Sequence, residues 1–284
     1  MQKRKMTNEL IKKFENYLYE EERSDNTIGK YLRDVRAFYA YIGSKNMEKA
    51  DVVGYKKRLC GVYAPKSVNS MLSSVNAFFI FMGWHDLKIK TLKIQRRMFS
   101  DKSKELNKSE YERLLIAARE KKNDRLYYLM QTIASTGLRV SEIKFVTCEA
   151  IKSGQAVINC KGKIRQIFLP KKLCKMLKEY AKSEKIKKGS VFVSKTGRAL
   201  DRSNIWKMLK ALCEFAGVNK DKVFPHNFRH LFARTFYALR KDIVRLADIL
   251  GHSSIETTRI YTMESGTEHI KLMQKLGLLN CRKA

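Results

Sequence analysis

Acidic residues are scarce in this sequence, and motifs that would announce a cofactor are missing. Against 59 Lys+Arg there are 28 Asp+Glu, a formal net charge of +31. Solubility requires far less, so the surplus points to a polyanionic partner, nucleic acid first. It is not a detachable tail. Residues 1–100 hold 20 basic and 10 acidic side chains, leaving 39 and 18 for the remainder, so both halves of the 284-residue chain are cationic. The six cysteines (Cys60, Cys148, Cys160, Cys174, Cys213, Cys281) form no CxxC pair and no disulfide-framework spacing, which fits thiols in a reducing compartment and a cytoplasmic location. The N-terminal MQKRKMTNELIKKF is amphipathic rather than an apolar leader, and no run approaches the roughly 18 apolar residues of a membrane span. No GxxxxGK[ST] loop is present. A merely basic protein of ribosomal type is disfavoured by the 44% hydrophobic content and the periodic helices.

Those helices fall into two groups. From Thr7, the residues Leu10, Ile11, Phe14, Tyr17 and Leu18 recur at three- and four-residue steps on one helical face. Thr27 is the expected N-cap of a second helix, with the stripe Ile28, Tyr31, Leu32, Val35, Phe38, Tyr39 and Ile42 ended by Gly43. A third helix is expected from Asp51 towards Leu59, and a fourth after Pro65, capped by Ser67. Residues 1–86 thus form a small helical bundle. Over 87–105 periodicity fades while Lys88, Lys90, Lys93, Arg96, Arg97, Lys102 and Lys104 accumulate, the composition of a basic linker that is either solvated or laid along phosphates.

Residues 106–284 read as a second, α+β domain. Ser109 or a neighbour caps the helix YERLLIAARE, and LYYLMQTIAST stops at Gly137. The short β-rich runs 156–160 and 164–169 flank Lys161-Gly162-Lys163, a tight hairpin, and 191–194 is a candidate third strand. Helices are expected over 171–182, 203–216, 226–239 and 243–250, with a short one running through Tyr261 and a final apolar segment at 270–279.

Three stretches carry chemistry. In Thr136-Gly137-Leu138-Arg139-Val140-Ser141-Glu142, the spacing puts Glu142 within reach of Arg139. His226-Asn227-Phe228-Arg229-His230 opens a helix, with His226 and Arg229 on one face. Zinc at His226 and His230 is disfavoured because Asn227 stands where a zincin carries its glutamate. Leu250-Gly251-His252 precedes Tyr261 by nine residues, counted from the histidine. Singly, each stretch is explained by a capped helix, a surface ion pair or a packed tyrosine. Together they gather three of only five histidines with two arginines and a hydroxyl nucleophile.

In this order and at these intervals, TGLRVSE, a hairpin lysine, HNFRH and LGHSSIETTRIYT resemble the tyrosine recombinase (phage integrase) family, over essentially the whole chain. The resemblance implies a mainly α protein with an N-terminal four-helix, SAM-like core-binding domain and an α+β catalytic domain with a small antiparallel sheet. It makes Tyr261 the nucleophile, has Arg139 and Arg229 bind the scissile phosphate, and has His226 and His252 complete the pocket, His226 as base and His252 as a donor to the phosphate. Glu142 supports Arg139, and the general acid is a hairpin lysine, Lys161 ahead of Lys163. Phe228 stands where the family commonly has leucine, a change of packing only. These residue types suit the chemistry. Without a metal, charge growing on phosphoryl oxygens must be met by protein cations, and a tyrosine of pKa about 10 needs help to lose its proton.

No cofactor, metal or ATP is implied. The implied partners are double-stranded DNA with a specific inverted-repeat site and three further copies of the chain, four protomers exchanging two duplexes through a Holliday junction, with the C-terminal segment docking in trans. Among the smaller members, cointegrate resolvases and Xer-type enzymes, the lysine-rich composition and the KGK hairpin lean towards transposon cointegrate resolution or mobile-element integration and excision. Chromosome-dimer resolution, relaxation in the manner of a type IB topoisomerase, and a DNA-binding protein without catalysis are the rival expectations.

Overall fold

The computed structural model describes residues 4–43, 45–95, 102–160, 163–194, 196–262, 270 and 273–276. The chain divides into two compact units, Met1–Arg96 and Arg97–Ala284.

The first unit holds four helices, α1 (Asn8–Glu20), α2 (Asp25–Ile42), α3 (Lys49–Val62) and α4 (Pro65–Phe81). Thr7 caps α1 as expected, its hydroxyl accepting from Leu10 N. Two expected caps are displaced. Helix α2 starts after Ser24, three residues before Thr27, and α4 starts at Pro65, whose missing N–H costs nothing at a first helical position, so Ser67 lies inside the helix. The apolar stripes meet in a core of aromatic rings: Phe14 packs edge-on to Phe78 at 5.3 Å and Phe38 to Phe79 at 5.6 Å. The stretch expected as a linker is fastened to this unit over 87–92. Leu87 and Ile89 are buried in the core, Asn76 and Asn69 bracket the backbone of Ile89 and Leu92 with paired hydrogen bonds of 2.7–3.0 Å, and Lys49 and Lys56 donate to the carbonyls of Asp86, Lys88 and Lys90. Loss of periodicity there reflects an extended segment held by side-chain amides rather than a free one.

The second unit is built on α5 (Lys108–Glu120), α6 (Asp124–Thr136), α7 (Cys148–Ser153), α8 (Lys171–Ser183), α9 (Arg202–Phe215), α10 (Pro225–Arg240), α11 (Ile243–Leu250) and α12 (Ile255–Arg259), with strands β1 (Gln155–Cys160) and β2 (Lys163–Phe168). The α5 cap is Asn107, in a reciprocal capping box with Glu110, and not Ser109. The strands pair antiparallel from Gln155↔Phe168 to Cys160↔Lys163. Residues 191–194 do not extend this sheet and form only an isolated bridge, Val193↔Ala199. Neither α7, six residues ended by Gly154 in the left-handed region, nor the 3-10 turn Val140–Phe145 is expected from the residue pattern. Nor does a helix run through Tyr261: α12 ends at Arg259, and the tyrosine sits in the turn that follows.

Candidate active site

Two glycine stops create the pocket. Helix α6 ends at Gly137, φ +68°, and the chain turns so that its carbonyl accepts from Arg229 Nη1 at 2.6 Å. Helix α11 ends at Gly251, φ +63°. The last carbonyls of a helix have no partner within it. Here three in succession are taken by three arginines: Ile249 by Arg165 Nη1 at 2.9 Å, Leu250 by Arg229 Nη2 at 2.8 Å and Gly251 by Arg139 Nη2 at 3.5 Å. Cations at this negative end of the helix are also favoured by its dipole.

Glu142 balances this group. Its carboxylate, 3% exposed, accepts from Arg139 Nη1 at 3.0 Å, Arg165 Nη2 at 2.6 Å and the backbone N–H of Arg139 at 2.8 Å. Arg229, 1% exposed, is the most deeply placed cation, and its pKa falls to about 10 through burial and then through Arg139, with the adjacent Tyr261 hydroxyl acting in the opposite direction. Among the described residues its Nε has no hydrogen-bond partner.

Two imidazoles flank Tyr261 and a third lies beyond one of them. His252 stacks on its ring at 6.0 Å, and His230 meets it edge-on at 4.7 Å. His226 lies one ring further out, 4.6 Å from His230. His252 Nε2 is 2.9 Å from Arg229 Nη2, and its Nδ1 is 2.9 Å from Thr258 Oγ1. All three histidines lose basicity. Burial and the charges of His226 and Arg229 take His230 to about 4. Burial and Arg229, Arg139, Arg165 and His226 take His252 to about 4. His226 is pushed down by its packed surroundings and by Arg229, Arg139 and Arg202, although one edge stays open to solvent. Each imidazole is therefore neutral near pH 7.

The fold thus gathers Arg139, Glu142, His226, Arg229, His252 and Tyr261. Lys161, and the side chain of Lys163, lie outside the described residues, as do Arg96 and Arg97. Lys88, Lys90 and Lys93 are exposed on the first unit. Of the C-terminal segment, Ile270, Met273 and Leu276 are exposed, and Leu272, Leu278 and Leu279 lie outside the described residues.

Three participants escaped the sequence reading. Arg165 carried a signal: it falls in register with the buried Ile167 while Ile164 and Phe168, on the other face of β2, are 72% and 70% exposed. A charge on the inward face of a strand with apolar residues outside inverts the usual alternation. His230 was counted among the gathered histidines but given no role beyond a disfavoured zinc site, and Thr258 had no signal beyond its neighbourhood.

Residues 104–268 match the phage integrase family and residues 11–85 the phage integrase N-terminal SAM-like domain. The chain belongs to the phage integrase family. This tyrosine recombinase is 31% identical over 285 residues to the tyrosine recombinase XerA of Thermococcus kodakarensis, covering 95% of this chain and 98% of that one. Among solved structures it is similar to the XerH site-specific recombinase bound to its difH substrate, with TM-score 0.69, 21% identity and coverage of 89% and 80%. It is also similar to a lambda integrase tetramer bound to a Holliday junction, with TM-score 0.72, 16% identity and coverage of 90% and 77%. The fold of this recombinase is that of lambda integrase: mostly helical, with a SAM-like front domain and a catalytic domain holding a two-stranded antiparallel sheet. Among its described residues, no helix is long and apolar enough to cross a membrane.

Proposed function

We propose that this tyrosine recombinase cuts and rejoins duplex DNA at a specific inverted-repeat site through a 3′-phosphotyrosine on Tyr261, without metal or ATP. The observation that carries this reading is the joint placement of Tyr261 beside Arg229, with Arg139 held in the same pocket by the α11 carbonyls and Glu142. The Tyr261 oxygen attacks the phosphorus, the bond to the 5′ oxygen breaks, and the energy of the phosphodiester is kept in the new ester, so rejoining is the reverse attack by a 5′ hydroxyl. Arg139 and Arg229 neutralise charge on the nonbridging oxygens, for which guanidinium forks are suited. His226, neutral and open, takes the phenolic proton. Lys161, or Lys163 in its place, gives a proton to the departing 5′ oxygen. Tyr261 is only 4% exposed, so the turn that carries it opens when DNA docks.

Each site cuts one strand, so exchange of two duplexes takes four protomers; the likeness to the lambda integrase tetramer supports this, and docking of the C-terminal segment in trans completes the proposal. The composition favours a mobile-element role, cointegrate resolution or integration and excision. The end-to-end similarity to XerA favours a second role, chromosome-dimer resolution. A cytoplasmic location suits any of these roles.

The test uses wild-type protein and Tyr261→Phe with suicide DNA bearing sequences that flank the gene, without metal or ATP, on a denaturing gel. An adduct with wild type alone, with binding nearly unchanged in the variant, is expected. An adduct that persists in Tyr261→Phe refutes the nucleophile, and binding without any adduct refutes the catalytic reading. Relaxation of supercoiled plasmid by enzyme that never recombines two sites would favour topoisomerase-like activity.

A further inference from the structure

We propose that Thr258 is the tautomer switch of this site: rotation of its hydroxyl lets His252 change from accepting a hydrogen bond from Arg229 to donating one to a phosphate oxygen, with Nδ1 partnered throughout. The inference rests on the phosphoryl-transfer reading above.

A guanidinium has donors and no acceptor. His252 Nε2, 2.9 Å from Arg229 Nη2, is therefore the acceptor, and the single proton of the neutral ring sits on Nδ1, donated to Thr258 Oγ1 at 2.9 Å. This arrangement is the wrong one for substrate. Phosphate oxygens accept, so His252 can serve them only with its proton on Nε2, and Nδ1 then needs a donor in place of an acceptor. A carbonyl or carboxylate in the position of Oγ1 could satisfy the first state but not the second. A hydroxyl satisfies both by turning its O–H.

The alternative, a second proton on the ring, is opposed by everything that faces it. Arg229 comes from α10, Arg139 from the turn after α6, Arg165 from β2 and His226 from the start of α10, while the Tyr261 ring covers one side. Burial with these groups brings the ring to about 4, so near pH 7 a tautomer change adds no charge where an imidazolium would.

Thr258 is also well placed to couple the two halves of the reaction. It is 0% exposed, and its carbonyl accepts the backbone N–H of Tyr261 at 3.0 Å. One residue therefore holds the nucleophile's backbone and the phosphate-binding imidazole together. It is a positioning residue, acting through His252.

The experiment takes full-length protein labelled with ¹⁵N in its histidines. In the free protein the His252 proton is expected on Nδ1. In Tyr261→Phe bound to the flanking-site duplex it is expected on Nε2, in a neutral ring. Thr258→Val should slow adduct formation about 10–100-fold, by analogy with loss of the partner that orients a metal-bound imidazole, and Thr258→Ser should restore it to within about threefold of wild type. The same tautomer in both states, an imidazolium in the complex, or a serine variant as slow as the valine variant overturns the proposal. Absence of any wild-type adduct would fail the phosphotyrosine reading instead, and the tautomer measurement would still decide the switch.

Discussion

At Gly251 an added Cβ would lie 2.5 Å from Arg165 Nη1, and φ is +63°. Gly251→Ala therefore carries two penalties: about 1–2 kcal/mol for a left-handed L-residue, and displacement of the arginine beneath. A lower melting temperature together with loss of adduct is expected; wild-type melting and cleavage would contradict the packing described here. Glu142 is the second point of leverage. Replacing it by glutamine leaves Arg139 and Arg165 facing each other without their shared anion, and breaking a buried pair typically costs about 3 kcal/mol or more. Since Arg139 is 38% exposed on its side chain, the effect should be at the low end, measured by denaturant unfolding against wild type. At this scale the sequence was informative where spacing was local: Glu142 lies three residues from Arg139, and the ion pair was expected. Arg165 was not, because its partners lie 23 and 84 residues away, and no local spacing encodes that.

Among elements, α10 and α11 were legible almost to their ends because Pro225, Asp242 and Gly251 punctuate them. Residues 191–194 misled because β-rich composition does not reveal whether a partner strand is available. Helix α7 was hidden by its length of six residues, too short for any period to register. The second turn of α10 and the residue after the Gly251 stop of α11 also carry the pH response. His230 and His252 titrate near 4 in the fold against about 6.5 in an unfolded chain. Between those values the unfolded chain binds protons that the folded one refuses, so stability is complete above about 6.5 and is lost as pH falls towards 4. Melting temperature should be level above pH 7 and decline between 6.5 and 4; a level profile through that window would show that the two rings are not held as described.

For the molecule as a whole, the charge of +31 predicts strong salt dependence. If each protomer neutralises six or more phosphates, affinity should drop about 1,000-fold or more from 50 to 200 mM salt. Fluorescence anisotropy on a labelled duplex measures the slope, and a nearly salt-independent constant would rule out binding led by the phosphate backbone. The two-part organisation was legible from the break in helical periodicity after Trp84. The attachment of 87–92 to the first unit was not, since it depends on Asn69 and Asn76 meeting backbone groups 13 to 23 residues downstream. The end of α11 has one more consequence. Carbonyl dipoles fix three arginines in place yet carry no net charge, and unlike carboxylates they cannot take up a proton. For Arg229, which the carbonyls of Gly137 and Leu250 hold with no carboxylate bonded to it, the grip is thus independent of acidity and cancels none of its charge. An approaching phosphate meets that guanidinium's full charge, already aimed, whereas Arg139 and Arg165 have surrendered part of theirs to Glu142.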